Sequence, residues 1–274
     1  MGVTKNSYVD FTKAPASSWF AKATNAVPTA VNAQQDLTRI EDAFGCNYFE
    51  LAQGVGALGA NTLLTTAGFT PASNGWLVCC DNAATDSIEI TQGIVSGPAL
   101  SFVTGTDPAF YMRGAIIVGH KAYTTNTTFG FRKLVAYETA STEAESLAAY
   151  DDKAFIGLLA NAGAYKTQTS KAATDLSTTL ARTALTDGNL LLAEIKVDGA
   201  GVVTYRLAET TPAGTTNAQI QTALAAARTA LAADANAVAF TFTAGIEVVP
   251  SFIFASAGAG ATDTRLVAWE VGYQ

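Results

Sequence analysis

From residue 76 onward, apolar positions recur mostly every second residue, the period of a strand with one face buried. Short runs at 76–80 and 87–91 read as strands, and 111–118 and 131–138 read as clearer ones. In 131–138, Phe131, Val135 and Tyr137 alternate with Arg132, Leu134 and Ala136. Both faces are therefore mixed, as suits a strand packed on two sides. The patch 154–159 is apolar but too short for its state to be assigned. The strongest local signal is LLLAEIKVDGAGVVTYRLAE, residues 190–209. There Ala193, Ile195 and Val197 form one face, and Val203, Tyr205 and Leu207 oppose them. The connection Asp198-Gly199-Ala200-Gly201 supplies the positive-φ residues of a tight turn. Three more strands close the chain, at 237–243, 249–255 and 265–273.

The helical period is rarer. Thr216 and Gln219 have capping-box spacing, and Ile220, Leu224, Ala227 and Leu231 follow as a stripe expected to end near Asn236. Asn32 with Gln35 repeats the capping spacing before Leu37, Ile40 and Phe44, and Gly45 is placed to stop that helix. Residues 1–30 carry Pro15 and Pro28 without a sustained period and read as an arm lying on something else; 52–75 read as loop. The expected organisation is an N-terminal arm with a short helix over 1–75 and a β-sandwich domain over 76–274. Eight or nine strands, glycine-rich connections and two or three short helices predict an all-β-dominated jelly-roll, concanavalin-like sandwich. The β-α-β alternation of a parallel sheet is missing.

Composition sharpens this picture. Charged residues are 14% of the chain, against about 25% in ordinary soluble domains. Hydrophobic residues reach 49% and the net charge is −7, which excludes bulk disorder and a basic nucleic-acid-binding surface. So thin a charge layer means either a bland surface or one covered by copies of the chain or by a partner; the second is preferred. No apolar run is long enough to cross a bilayer, and the first residues lack a signal-peptide core, so neither membrane insertion nor Sec export is expected.

Candidate chemistry is sparse. The single histidine, His120, has no marked serine or carboxylate partner and no G-x-S-x-G elbow. Cys46, Cys79 and Cys80 form neither a C-x-x-C pair nor a zinc set and read as small buried hydrophobes. Acids that could serve glycoside chemistry are Asp86, Glu89, Glu138, Glu143, Glu145, Asp151 and Asp152. Glu89 in SIEIT has no second acid at i+2 or i+4, and the others lie at strand ends or in loops. Asp151 and Asp152 leave a calcium site open, without the usual oxygen-rich loop pattern. Gly54 with Gly56, and Gly258 with Gly260, fit no phosphate-cradle pattern. The sequon at Asn126 reads as chance. Trp76, Trp269 and Tyr273 could stack on a sugar, though core or interface positions suit strand aromatics better. No catalytic, cofactor-binding or metal-binding residue is therefore assigned, and no cofactor is expected.

The segments FGFRKLVAYE, AAYDDKAFIG, LLLAEIKVDGAGVVTYRL and VVPSFIFASAGAGATDTRLVAWEVGYQ together resemble virion structural proteins of tailed bacteriophages. The capsid decoration (cement) type carries a lectin-like jelly-roll sandwich. The resemblance covers roughly residues 75–274 and is one of pattern and order. It implies a non-enzymatic protein on the capsid exterior, assembled in the host cytoplasm, that bridges subunits and stabilises the shell. Its implied partners are the major capsid protein and copies of itself, as a homotrimer or larger, with no nucleic acid and no membrane. The alternative is a carbohydrate-binding or receptor-binding virion domain. A glycoside-acting enzyme comes third and needs two carboxylates facing one cleft.

Overall fold

The computed structural model describes residues 7–10, 49–53, 68–72, 75–79, 87–92, 100–119, 124–135, 150–159, 164–172, 174–181, 185–256 and 264–274. Their strands are β1 (Ser7–Asp10), β2 (Phe49–Gln53), β3 (Gly68–Ala72), β4 (Gly75–Cys79), β5 (Ser87–Gln92), β6 (Phe102–Val103), β7 (Phe110–Ile117) and β8 (Thr124–Lys133). There follow β9 (Lys153–Leu159), β10 (Tyr165–Lys171), β11 (Thr174–Thr179), β12 (Leu190–Val197) and β13 (Val202–Thr210). The helix α1 (Asn217–Ala230), then β14 (Ala232–Ala233), β15 (Phe240–Thr241), β16 (Glu247–Ser256) and β17 (Thr264–Tyr273) complete the set.

The first sheet has the order β14-β13-β12-β7-β17-β4-β3, with β1 added on β17 and β15 on β13. The second runs β11-β10-β9-β8-β16-β5-β2, with β6 added on β16. The two sheets pack face to face as the expected jelly-roll, concanavalin-like sandwich. Strands from the 1–75 stretch enter both layers: β1 pairs with β17, β3 with β4, and β2 with β5.

Between the sheets lies one core. Phe102 stacks on Phe110 at 4.4 Å, Phe131 meets Phe110 edge-on at 5.0 Å, and Phe129 reaches Phe252 and Trp269. Each such buried side chain contributes about 1.5–3 kcal/mol through water release. Phe129 approaches the first sheet at Gly114, where an added Cβ would stand 2.1 Å from its ring. Only a residue without a side chain lets the layers close there.

The hairpin follows its pattern, with Ala193 opposite Leu207, Ile195 opposite Tyr205 and Val197 opposite Val203. Asp198 Oδ1 accepts from the Ala200 and Val202 amides at 2.9 and 2.8 Å, and Gly201 takes φ 83° to complete the turn. Thr216 and Gln219 form the capping box of α1. Ile220, Leu224 and Ala227 bury against the outside of the first sheet. The helix stops at Ala230, short of Asn236, because Leu231 already turns extended.

Elsewhere the strands shift from expectation. The strand expected over 131–138 is β8, which begins seven residues earlier at Thr124 and ends at Lys133. The ambiguous 154–159 patch is strand β9. Residues 237–243 hold only the short β15, since Phe242 dives into the core. The expected helix near residues 32–44 lies outside the described residues.

Candidate functional site

Strand alternation gives the first sheet an outer face with two unlike halves. Cross-strand partners place Ala208, Leu192, Ala115 and Ala268 in one row, with Ile117 and Leu190 in the next. These apolar rows lie under α1. Beyond it the adjoining row reads Arg206, Glu194, Arg113, Glu270 across four neighbouring strands, alternating in sign at directly opposed positions. The row after that carries Thr204, Lys196 and Tyr111. Opposite charges facing one another across a ladder are favourable, so the register itself builds a charged lattice.

Arg113 is its centre. Its Nε donates to Glu194 Oε2, its Nη1 lies 3.4 Å from Glu270 Oε1, and its guanidinium sits 4.8 Å from the centre of the Tyr111 ring. The Tyr111 hydroxyl donates to Glu270 Oε1 at 2.6 Å. Arg228 of α1 reaches within 4.0 Å of Glu270 Oε2, tying the lattice to the helix. Glu194 is fully buried among these neighbours, while Arg113 keeps 30% of its side chain exposed and Arg206 45%. The second Glu194 oxygen makes no hydrogen bond; it lies 3.8 Å from Lys196 Nζ and 3.7 Å from Arg206 Nε.

Electrostatics keep the donors protonated. Burial, then the hydrogen bond to Glu270 and its charge, push the Tyr111 hydroxyl up to about 12. Burial alone would lower the Arg113 pKa, but its hydrogen bond to Glu194 and the charges of Glu194 and Glu270 together hold it above the ordinary guanidinium value. The guanidinium donors of Arg206 and Arg113 and the acceptor Glu270 thus lie on a held, partly exposed surface above the buried Glu194. A vicinal pair of hydroxyls, each both donor and acceptor, finds complementary partners on such a surface. Both carboxylates are engaged by Arg113, and the two do not face each other across a cleft.

The residues singled out from sequence lie elsewhere. Glu89 is fully buried on the outer face of the second sheet. It accepts from Arg132 Nε, Tyr150 and Ser251, each at 2.6 Å, and meets no second acid among the described residues. Asp152 is buried with its carboxylate on Thr243 at 3.2 Å, and Asp151 is exposed. Among the described residues no three His, Cys, Asp or Glu side chains gather around a point where a metal could sit. Trp269 is buried between the sheets and Tyr273 packs edge-on to Phe102 at 5.3 Å, so both are core. Asp86, His120, Glu138, Glu143, Glu145, Cys46, Cys80 and the glycines at 54, 56, 258 and 260 lie outside the described residues. Trp76 and Cys79 are placed only as positions on β4, and Asn126 on β8. Sequence reading passed over Glu194, Lys196 and Arg206, although the hairpin that it found sets them on the face opposite Ile195.

Fold and surface together are those of a jelly-roll, concanavalin-like β-sandwich with a polar, partly exposed lattice on the outer face of its first sheet. No protein-family model and no curated protein matches the chain. Several solved structures are similar to the chain at low identity. A protein of unknown function from Shewanella oneidensis MR-1 is 10% identical, with 97% of this chain and 85% of that one covered, at TM-score 0.49. A legume lectin-like domain from Entamoeba histolytica is 8% identical, over 81% and 97%, also at 0.49. The CBM2 module of an evolved Dit from Lactobacillus casei BL23 phage J-1 is 12% identical, over 99% and 97%, at 0.44.

Proposed function

We propose that this chain is a non-catalytic, carbohydrate-binding domain of a virion, carried on the capsid exterior. The observation that carries the reading is the Arg206–Glu194–Arg113–Glu270 row with Tyr111 beside it. Sugar hydroxyls need donors and acceptors side by side, already oriented, so that little side-chain entropy is lost on binding. Arg113 is oriented by Glu194 and Glu270, Tyr111 by Glu270, and Arg113 keeps 30% of its side chain exposed. The test is a glycan array with the whole chain, followed by calorimetry of the strongest hit against Arg113→Ala and Tyr111→Phe. Binding is expected to be lost in the first and weakened in the second. An array without signal, or a hit that Arg113→Ala leaves unchanged, overturns the assignment.

A capsid decoration role is the second reading. It is favoured by the low charge of the chain, 14%, which suits surfaces buried against neighbouring subunits. Co-sedimentation with shells of the major capsid protein tests it, and a chain that stays in the supernatant removes it.

A further inference from the structure

Away from the polar lattice, one flank of the sandwich joins an edge of each sheet. Strand β11 ends the second sheet, and β14 and β15 lie on the outermost long strand of the first. Two hydrogen bonds stitch these edges together. The Ala181 amide donates to Asp234 Oδ1 at 3.0 Å, and Lys171 Nζ to the Thr241 carbonyl at 3.2 Å. Between the stitches run TDLSTTLA (174–181) and LAADANAVAFT (231–241).

This flank lacks what a free edge ordinarily carries. Proteins guard exposed strand edges with lysine, proline, bulges or a covering loop, because open N–H and C=O groups recruit other strands. β11 has no lysine and no proline, and pairs with β10 in unbroken register. Five of its six residues are exposed and the sixth is half-buried, so neither of its faces is packed away. The only charges on the two segments are Asp175 and Asp234. Asp175 is paired with Lys153 at 2.7 Å, and Asp234 accepts from the amides of Ala181 and Asn236. The exposed large hydrophobic side chains among the described residues are Leu176 at 47% and Val238 at 45%, and both lie here.

We propose that this flank is a two-fold contact between two copies of the chain, with β11 pairing antiparallel to β11 of the second copy. A second copy fits better than a charged partner, since the two segments carry no cation, the Lys171 ammonium beside them is held by the Thr241 carbonyl, and their acids are already engaged. The segment TDLSTT is also compatible with itself: pairing centred on Ser177 sets Leu176 opposite Thr178 and Asp175 opposite Thr179 of the other copy, which keeps the two Asp175 carboxylates about 13 Å apart along the strands. The segments supply about 19 residues, close to the 20–30 a side of a standard interface. Such an isologous contact closes on itself and yields dimers or even-numbered assemblies, which departs from a homotrimer but not from the larger oligomers that the resemblance also allows. The contact is independent of the glycan reading and stands or falls separately.

Light scattering across a dilution series of the whole chain tests it, alongside Leu176→Lys/Thr178→Lys and the control Ala225→Lys/Ala226→Lys on the exposed side of α1. The expected result is a species of twice 28.3 kDa. The edge lysines should weaken it at least about tenfold by bringing like charges together, and the helix lysines should not. Hydrogen exchange on the unaltered protein provides a second reading that needs no variant: amides of 174–179 should gain protection as concentration rises. A monomer throughout, an oligomer indifferent to the edge lysines, or exchange at 174–179 that ignores concentration each overturns the proposal.

Discussion

Arg113 and Arg132 are built from the same parts and put to opposite uses. Each guanidinium lies over a tyrosine ring, Tyr111 at 4.8 Å and Tyr150 at 4.1 Å, and each bonds a glutamate. In both, the tyrosine hydroxyl donates to a carboxylate at 2.6 Å. The surroundings decide the outcome. Arg132 and Glu89 are completely buried under Tyr150, and the Arg132 Nη1 is used up on the Lys133 and Val135 carbonyls at 3.1 Å. Arg113 faces solvent, and two of its contacts to Glu270 are long, at 3.4 and 3.5 Å. A sealed ion pair holds structure because breaking it strands a charge away from water. An open one exchanges partners at little cost, as the proposed binding face requires.

The largest effect should come from splitting the sealed pair. Arg132→Ala is expected to cost about 3–5 kcal/mol in urea unfolding, since Glu89 is left buried without its cation. Arg113→Ala should cost less than half as much, because Lys196 and Arg206 stand 3.8 and 3.7 Å from Glu194 and water reaches the gap. Equal losses would erase the distinction between the two arginines. Replacing Arg132 and Glu89 together by Met and Leu should recover much of the stability lost in the single variant.

The two faces of one strand sharpen the same contrast. Gly114 lies beside Arg113 on β7 but points into the core, where an added Cβ meets Phe129 at 2.1 Å. Gly114→Ala is expected to lower stability by about 1–3 kcal/mol through overpacking, while any ligand binding at the neighbouring arginine survives in the folded fraction. Thermal melts and calorimetry on the same preparation separate the two effects. A loss of binding without a loss of stability would mean that the faces of β7 are coupled.

What could be read from the sequence follows the distance over which each feature is built. The 190–209 hairpin and α1 are local: a turn, a capping box and a short apolar period lie within about two dozen residues of each other. The Thr-rich strands are hard to see, because β10 (YKTQTSK) and the start of β8 (TTNTT) present β-branched residues that suit strands without any apolar alternation. Buried Thr127, Thr128, Thr167 and Thr169 show how much of this sandwich is packed with hydroxyl-bearing side chains. The polar lattice splits along the same line. Its Glu194–Arg206 half is implied by the hairpin register alone. Its Arg113–Glu194 and Arg113–Glu270 contacts span 81 and 157 residues and exist only once β7 is inserted between β12 and β17.

A smaller effect tests burial itself. Tyr205, on the inner face of the hairpin, is sealed in the core and its hydroxyl has no hydrogen-bond partner among the described residues. An orphaned buried hydroxyl costs about 1–3 kcal/mol of desolvation, so Tyr205→Phe should raise stability by about 1 kcal/mol. A destabilised variant would show that the hydroxyl is satisfied in solution.

Alkaline titration compares an open tyrosine with a sealed one most finely. Burial raises the pKa of both, Tyr111 to about 12 and Tyr205 further, against about 10 in the unfolded chain. Between pH 10 and 12 the folded protein therefore holds more protons than the unfolded one, and stability must fall as pH rises. The contribution of each tyrosine is fully present below pH 10; that of Tyr111 is exhausted near pH 12, whereas that of Tyr205 keeps declining beyond it. Lys153 acts in the other direction: burial lowers its pKa despite Asp175, so its deprotonation favours the folded state as pH climbs toward 10.5. Urea midpoints at half-unit steps from pH 9 to 12 should decline for the unaltered protein and decline least for Tyr205→Phe. Tyr111→Phe should fall between them, because solvent screens a half-exposed group. If Tyr111→Phe flattens the profile more than Tyr205→Phe does, the lattice face is the more sealed of the two, and its role as an open binding surface fails.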